Sequence, residues 1–321
     1  VILIIEPNKD LLMEQLSLSH QAYKAITDNM WVYREEATYL FAGASMEALR
    51  DFFYSVLPKE EINNLKIIAL DQFTEVATSS GLSDYFIRNI IRNRYAIAKS
   101  YDIKAHENKY KNVPALIVSA GPSLSKNIEY IKEFKGIIFT GGRTLQTILD
   151  HGAKPDFVVS IDPKPITYTT FGEAVHNDFP LITIDKSEDG IIRENNGPQY
   201  FINADNTKIS SLLGVELPSH IEVGGSVATV CLSAATHMGC SPIVFIGQDL
   251  AFTDMKFHAD SCDIENTGEL EIKKGEDETL NSKYYKVEGY NGDDVWTNVL
   301  MMGYLRWFEM FISLQKNTVY I

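Results

Sequence analysis

Glycine, serine and carboxylate residues recur in this sequence where apolar runs end, and these residue types can hold phosphate. The first such place is "SAGPSL" (residues 119–124), which follows the apolar run Leu116–Val118 and precedes a helical pattern. Glycine lets a backbone approach a ligand closely, proline suits the first turn of a helix, and free amides at a helix N-terminus bind anions. A plain tight turn explains this stretch equally well by itself. It is neither a Walker loop nor a three-glycine dinucleotide fingerprint.

Four further loops share this character: "TGGRTL" (140–145), "SIDP" (160–163), "GGSVATV" (224–230) and "IGQDLA" (246–251). Each alone fits a routine turn, because Gly, Pro and Asp favour turns. If the loops leave the carboxyl ends of parallel strands, they meet at one edge of a sheet, where α/β proteins bind ligands. We therefore predict one cleft for a nucleotide or another phosphorylated ligand. The residues expected to contact it are Ser119, Gly121, Pro122, Ser123, Leu124, Gly141, Gly142, Arg143, Asp162, Gly225, Ser226 and Gln248.

The elements that must position these loops are apolar runs alternating with amphipathic segments, as in a parallel sheet covered by helices. Runs such as Ile137–Phe139 are continuously apolar, which a sheet buried on both faces requires. We predict an α/β fold with a Rossmann-like, mostly parallel sheet and helices on both faces. Its strands are predicted at Ala115–Ser119, Gly136–Thr140, Phe157–Ile161, Leu181–Asp185, Gln199–Ile202 and Ile243–Gly247. Its helices are predicted at Ser123–Phe134, Thr144–His151 and Val227–Met238.

The polar, aperiodic stretch Ser100–Val113 predicts a boundary between a smaller α/β domain (residues 1–108) and the central domain (109–321). A β-hairpin excursion is predicted at about residues 255–297, because Asn291-Gly292 fits a type I′ turn. The apolar helix Val299–Leu314 follows and must pack inward. Both chain ends read like cuts through a longer protein. In the first domain, strands are predicted near Val1–Ile5, Tyr39–Ala42 and Lys66–Leu70, and helices near Leu11–Ser19, Ser45–Val56 and Asp84–Lys99.

The composition excludes some classes of function. A chain of 321 residues with 45% hydrophobic and 22% charged residues is typical of a globular protein with a sizeable core. The net charge of -14 argues against binding of duplex nucleic acid but not against a small anion. Cys231, Cys240 and Cys262 show neither metal-ligand spacing nor a disulfide framework, which favours a cytoplasmic setting. We find no signal-peptide pattern and expect no membrane span.

Five ordered motifs together resemble the central region of the motility-associated factor (Maf) glycosyltransferases. They are "IVSAGPSLSKNI", "PDFVVSIDP", "GGSVATVCLSAATHMGC", "IVFIGQDLAF" and "RWFEMFI", and the resemblance runs from about Asn112 to Ile321. It implies transfer of a nonulosonic, sialic-acid-like sugar from a CMP-activated donor to Ser or Thr of flagellin, without a divalent ion or other cofactor. It also implies a fold similar to bacterial sialyltransferases, whose Gly-x-Gly-Pro-Ser loop has Ser119 here in place of its first glycine.

Two alternatives stay open. The same Gly-Pro-Ser-Leu turn occurs in archaeal-type 6-hydroxymethylpterin pyrophosphokinases, which use ATP and magnesium. Asp162, Asp249 and Asp254 would then hold the ion. The third reading is a non-catalytic flagellin-binding protein whose apolar helix "MMGYLRWFEMFI" offers a groove, although core packing is the commoner use of such a helix.

A CMP-sugar donor assigns roles to the cleft residues. The leaving phosphate needs preorganised donors, for which Ser123 and the helix start at Gly225-Ser226 are candidates. Asp162 would accept from a nucleotide hydroxyl or base amino group, or else cap the next turn. Gly141 and Gly142 would let the donor approach the strand end. Arg143 would contact the sugar carboxylate, and is equally compatible with a solvated helix position.

The acceptor hydroxyl needs a general base, and histidine is the usual one near neutral pH. Among seven histidines, His258 lies just beyond a strand end that faces the predicted cleft, close in sequence to Asp249, Asp254 and Asp260. We expect His258 to be the catalytic base, against the alternative of a surface histidine in a loop. Asp249 is the second catalytic candidate, or the group that orients the base.

Overall fold

The computed structural model describes strands at residues 3–6, 31–34 and 37–41, residue 82, and residues 84–204, 219–262, 284–315 and 318–320. The chain divides into two units, Val1–Ser79 and Ser80–Ile321. In the first unit, β1 (Leu3–Glu6), β2 (Trp31–Arg34) and β3 (Ala37–Phe41) form an antiparallel sheet in the order β1-β3-β2. The elements predicted at Leu11–Ser19, Ser45–Val56 and Lys66–Leu70 lie outside the described residues.

The division falls after Ser79 rather than after residue 108, where the sequence placed it. The helix over residues 84–99 belongs to the second unit, because Ile90 and Ile97 are buried in its core. The next strand, Tyr101–Asp102, pairs with Gln199–Ile202 at the edge of the second sheet. Both residues of this edge strand are exposed, so the stretch is polar without being a linker.

Eight strands form the sheet of the second unit, and all pairings are parallel. The order is β13-β10-β5-β6-β7-β8-β9-β4. This confirms the predicted α/β class and all six central strands. The strands are β4 (Tyr101–Asp102), β5 (Ala115–Val118), β6 (Ile137–Gly141), β7 (Phe157–Ser160), β8 (Leu181–Ile184), β9 (Gln199–Ile202), β10 (Ile243–Ile246) and β13 (Val319–Tyr320).

Helices cover both faces of this sheet. Helices α6 and α7 pack on one face, and α1, α3, α4 and α5 pack on the other. Side chains alternate along β7, so that Phe157 and Val159 face α6 whereas Val158 faces α3 and α4. The helices are α1 (residues 84–99), α2 (Leu124–Asn127), α3 (Gly142–Asp150), α4 (Ile166–Thr170), α5 (Asp189–Glu194), α6 (Val227–His237) and α7 (Val299–Ser313).

Two local predictions need correction. The helix expected over Ser123–Phe134 is the single turn α2 followed by a 3₁₀ segment, Ile128–Glu133. A 3₁₀ repeat of three residues places the buried Ile128 and Ile131 on one face. Of the excursion predicted at about residues 255–297, the hairpin is confirmed as β11 (Tyr285–Glu288) and β12 (Asp294–Thr297), and residues 263–283 lie outside the described residues. The hairpin loop has five residues, of which only Gly292 has a positive φ. The predicted type I′ turn is therefore wrong, because that turn needs two such residues.

Helix α7 packs inward, as predicted. Phe308 and Phe311 are buried in the core between α6 and the sheet, and Trp307 stacks on Phe311 with 4.7 Å between the ring centroids. Asn298 caps the helix by accepting from the amide of Met301. In the described part of the chain, no helix has the length and apolarity that crossing a membrane would need.

Candidate functional site

A cavity of about 500 Å³ opens at the carboxyl ends of β5, β6, β7 and β10. The chain runs from β5 to β6 on one side, whereas β10 adds on the other side of β5. This reversal of strand order is the point where open α/β sheets bind ligands. Val118 pairs with both Thr140 and Ile246, so the three strands end at one level. All five loops singled out in the sequence contribute to the cavity lining.

The predicted site residues separate into two groups. Pro122, Ser123, Leu124 and Gly225 are not among the residues that line the cavity, so the structure does not bring these four to it. Leu124 is instead fully buried in the core, and Gly225 supplies a positive φ of 82° in the turn before α6. The predicted residues that line the cavity are Ser119, Gly121, Gly141, Gly142, Arg143, Asp162, Ser226, Gln248, Asp249 and His258.

Ser123 is occupied by a carboxylate of the protein itself. Its Oγ donates to Asp249 Oδ2 at 2.8 Å, and its amide lies 3.2 Å from both oxygens of that carboxylate. Thr253 Oγ1 donates to Asp249 Oδ1 at 2.7 Å. Asp249 therefore joins the loop after β5 to the loop after β10. Neither donor of Ser123 is left to hold a phosphate.

Further contacts hold these two loops together. The amide of Gly121 donates to the carbonyl of Gly247 at 2.8 Å, and Ser119 Oγ donates to Gln248 Oε1 at 2.6 Å. A Cβ on Gly121 would lie 2.2 Å from Asp249 Oδ2 and 2.5 Å from the Gly247 carbonyl. The glycine of the Gly-Pro-Ser turn is therefore required by the approach of the neighbouring loop.

The two glycines after β6 are also explained by protein packing. A Cβ on Gly142 would lie 2.1 Å from the ring of Phe171, and one on Gly141 would lie 2.8 Å from Val227. Both glycines line the cavity, but their small size lets α4 and α6 approach the strand end. The expected approach of a ligand is not what requires them.

The N-terminus of α6 has the features that favour binding of an anion. Ser226 and Thr229 form a reciprocal capping box, which fixes the first turn. The amides of Val227 and Ala228 precede the first intrahelical hydrogen bond, and both residues line the cavity. Amides in this position, together with the helix dipole, favour a negatively charged group.

Two cations and one carboxylate line the cavity near the end of β7. Desolvation by the surrounding walls raises the pKa of Asp162 above its ordinary value, and the charges of Lys164 and Arg143 lower the pKa by a smaller amount. The residue is nevertheless open to solvent in the cleft. Within the described residues its carboxylate accepts no hydrogen bond, so it does not cap the turn before Pro163. Asp162 is thus held as an acceptor facing the cavity.

Comparison with known protein families shows to which family this chain belongs. The family model described as "MptE-like: 6-hydroxymethylpterin diphosphokinase MptE-like" matches residues 88–255, which is about half of the chain. This chain belongs to the MptE-like family. The match begins within α1 and ends in the loop after β10, so it includes all five cavity loops.

A solved structure of another protein has the same fold as this MptE-like chain. The Maf glycosyltransferase from Magnetospirillum magneticum AMB-1 is 18% identical with a TM-score of 0.54, over 73% of this chain and 35% of that one. Together with the family match, it confirms the resemblance that the sequence motifs predicted. An uncharacterized protein of Treponema pallidum (strain Nichols) is 41% identical over 58 residues, 17% of this chain and 28% of that protein. The chain thus spans about a third or less of each of these relatives.

The MptE-like chain brings His258 to the cavity on a segment that the hairpin supports. The amide of Phe252 donates to the carbonyl of Trp296 in β12, and Tyr284 packs edge-on against Phe252 with 5.1 Å between centroids. Phe257, next to His258, also packs against Phe252, at 5.2 Å. The hairpin predicted as an excursion therefore fixes the position of the candidate base.

The loop after β10 stores backbone strain. Leu250, Asp254 and Met255 have positive φ values of 50°, 53° and 59°. Such conformations cost non-glycine residues about 1 kcal/mol or more each and persist where the surroundings impose them. Asp254 itself does not line the cavity. The strain is concentrated between Asp249 and His258, the two predicted catalytic residues.

Sequence reasoning missed several residues that line the cavity, among them Ser160, Lys164, Phe257 and Tyr304. Ser160 and Lys164 flank Asp162 by two residues on either side, and strand alternation was the signal that could have found Ser160. Phe257 precedes the predicted base. Burial and the charge of Asp162 raise the pKa of Tyr304 to about 12, so its phenol stays protonated and can donate at neutral pH. Its helix was expected to pack inward or to offer a groove to a partner, and not to reach the cavity.

Proposed function

We propose that this protein is a glycosyltransferase that moves a nonulosonic, sialic-acid-like sugar from a CMP-activated donor to Ser or Thr of flagellin, in support of flagellar assembly. The observation that carries the proposal is that an anion-binding helix start and a histidine line one cavity. Family membership and the fold shared with a protein described as a Maf glycosyltransferase support it. The identities of the sugar and of the acceptor rest on the resemblance of the motifs.

The N-terminus of α6 replaces Ser123 as the group that stabilises the leaving phosphate. As the glycosidic bond breaks, negative charge grows on the phosphate oxygens. Donors that are already in position lower the barrier without reorganising. The amides of Val227 and Ala228 meet this requirement, because the capping box of Ser226 and Thr229 fixes them.

Charged side chains orient the donor on the two sides of the phosphate. Arg143 and Lys164 suit an anionic substituent, and Arg143 can grip a carboxylate with two parallel hydrogen bonds. Asp162 accepts from a donor hydroxyl or amino group. Its pKa is raised because the carboxylate is partly desolvated. A hydrogen bond from the ligand would replace the lost interaction with water.

His258 acts as the general base toward the acceptor hydroxyl. It lies on the β10 side of the cavity, on a segment braced by the hairpin, where an acceptor residue of another protein can enter. Proton removal from a serine or threonine hydroxyl by a positioned base contributes about 10²–10⁴-fold to a rate. Asp249 is a positioning residue in this scheme, because Ser123 and Thr253 already donate to it.

A pyrophosphokinase using ATP and magnesium is the second candidate, favoured by the description of the family model. It requires carboxylates that converge on a magnesium ion. Asp249 is bound by two loops and Asp254 does not line the cavity, so the three aspartates named from the sequence do not meet there. Among the residues that the structure describes, no three metal-binding side chains are grouped to hold an ion. These placements favour the transferase.

The proposal is tested by ligand stabilisation and by the product. We expect CMP and CDP to raise the Tm of the protein without added metal, and ATP with Mg²⁺ to have no larger effect. We also expect flagellin co-expressed with the full-length protein to gain the mass of one or more nonulosonic acids, and not with the His258→Ala variant. Stabilisation by ATP only with Mg²⁺, and unmodified flagellin, would instead establish the kinase.

A further inference from the structure

The cavity extends to the side of the sheet opposite α6, into a space that the proposed function does not yet use. We define the α4 lobe by five residues that line it: Thr144, Ser160, Thr167, Thr170 and Phe171. Ser160 is the last residue of β7, and strand alternation places its side chain on the same face as Val158, toward α3 and α4. The lobe is rich in hydroxyl groups, which is unusual for space next to a core.

Ser160 Oγ is an orphan in this lobe. The residue is 2% exposed, and its Oγ has no hydrogen-bond partner. Its backbone carbonyl, by contrast, accepts from Thr183 Oγ1 and from Ser187 Oγ. Of the buried unpaired side-chain atoms in the described part of the chain, this is the one that belongs to a cavity-lining residue. A buried hydroxyl without a partner is costly and is explained when a ligand supplies the partner.

Two other hydroxyls of the lobe, those of Thr144 and Thr170, have protein partners. Thr144 Oγ1 lies within hydrogen-bond distance of Thr140 Oγ1 and of the Gly141 carbonyl. Thr170 Oγ1 donates to the carbonyl of Thr167 at 2.7 Å. The ring of Phe171 is fully buried and excludes water from the floor. Among the described residues, Ser160 Oγ is thus the buried side-chain atom of the lobe that lacks a partner, and in buried surroundings a hydrogen bond discriminates most strongly between ligands.

The position of the lobe indicates which part of the ligand it holds. The reacting end must lie near His258, on the β10 side, and the phosphate lies at the start of α6. The end that does not react extends across the ends of β6 and β7, away from His258, as nucleotides do in open α/β sheets. We infer that the α4 lobe holds the nucleobase and that Ser160 Oγ hydrogen-bonds its edge. The identification of the base as cytosine rests on the proposed function, but the inference that Ser160 contacts a nucleobase does not.

Ser160→Ala tests this inference, with Ser233→Ala as a matched control. Ser233 Oγ is also buried and unpaired, but Ser233 does not line the cavity. Removing either orphan hydroxyl leaves the Tm of the free protein unchanged or higher, because no hydrogen bond is lost. Only Ser160→Ala should weaken nucleotide binding. Calorimetric titration with CMP, UMP, AMP and ribose 5-phosphate separates the base from the rest of the ligand.

We expect Ser160→Ala to lower the affinity for the best-bound nucleotide about tenfold and to reduce the differences in affinity among CMP, UMP and AMP. The affinity for ribose 5-phosphate should not change. An equal loss for ribose 5-phosphate, or no loss at all, overturns the inference. If the unmodified protein prefers AMP to CMP, the CMP donor is wrong and the same comparison on AMP decides the role of Ser160. If it binds none of the nucleotides, both proposals fail.

Discussion

The carboxylate of Asp249 lies against Ser123, with 2.8 Å between Asp249 Oδ2 and Ser123 Oγ and 3.2 Å from each carboxylate oxygen to the Ser123 amide. The two residues are 126 positions apart and follow neighbouring strands, β5 and β10. A carboxylate thus stands where an external phosphate was expected. Its function is to set the distance between the two loops at the switch point of the sheet.

The Ser123–Asp249 contact predicts a stability effect. Ser123→Ala removes one charge-assisted hydrogen bond and should lower the free energy of unfolding by about 1–2 kcal/mol. Asp249→Asn should cost more, because it weakens the contacts to Ser123 and to Thr253 together. In the double variant the two losses should overlap by about 1 kcal/mol, as measured by urea unfolding. If the losses of unfolding free energy were additive, or if Ser123→Ala lost nucleotide affinity without losing stability, the original prediction that Ser123 binds phosphate would stand.

Gly121 predicts a steric effect at the same contact. A Cβ at this position would lie 2.2 Å from Asp249 Oδ2, so Gly121→Ala must push the two loops apart. We expect a loss of more than about 2 kcal/mol in stability together with loss of nucleotide binding. Gly152→Ala is the control, because Gly152 has a φ of 77° but no atom within 4 Å of the added Cβ. It should cost about 1 kcal/mol and leave binding intact.

The fold was predictable because its signals are local and repeated. Continuous apolar runs marked every central strand, and loops of Gly, Pro and Asp marked the strand ends. The domain boundary was wrong because the exposed edge strand Tyr101–Asp102 reads as polar linker. The hairpin turn was wrong in type because Asn291-Gly292 also fits a longer loop, closed by the Gly289 amide and the Asp293 carbonyl at 2.8 Å.

The site was predictable in place but not in its contacts. Strand ends gave the cavity, since residues after parallel strands converge whatever their partners are. The engagement of Ser123 by Asp249 depends on loop conformations 126 residues apart, which no local pattern records. Gly142 resembled a ligand-approach glycine, but it makes room for the ring of Phe171. Tyr304 reaches the cavity from a helix whose composition indicated core packing or a partner groove.

Asp162 predicts a pH-dependent gain in stability on mutation. Its pKa in the folded protein is raised above the ordinary value of 3.8 by desolvation, so folding favours the protonated form. The stability from this preference is full below pH 3.8 and is lost as the pH rises through the raised pKa. Asp162→Asn should therefore be more stable than the unmodified protein at pH 7, with the difference shrinking toward pH 4. Urea unfolding at several pH values measures it, and a difference that grows toward low pH contradicts the argument.

The same variant should bind donor nucleotide less well, because Asn supplies a weaker acceptor than a carboxylate in the same place. Greater stability with weaker binding is expected of a residue held for function. If Asp162→Asn lowered both stability and affinity, the carboxylate would have a structural partner instead.

His258 predicts a loss of rate without a loss of binding. His258→Ala removes the base but leaves the helix start of α6 and the α4 lobe intact, so transfer should fall about 10²–10⁴-fold while CMP affinity changes less than threefold. His176→Ala is the control, since His176 is exposed and outside the cavity. Single-turnover transfer to flagellin and calorimetric titration of CMP measure the two quantities. A His258→Ala variant with unchanged turnover would remove the histidine from the mechanism. One with weaker CMP binding and unchanged turnover at saturation would move it to the donor site, because it would then contact the donor equally in the ground state and the transition state.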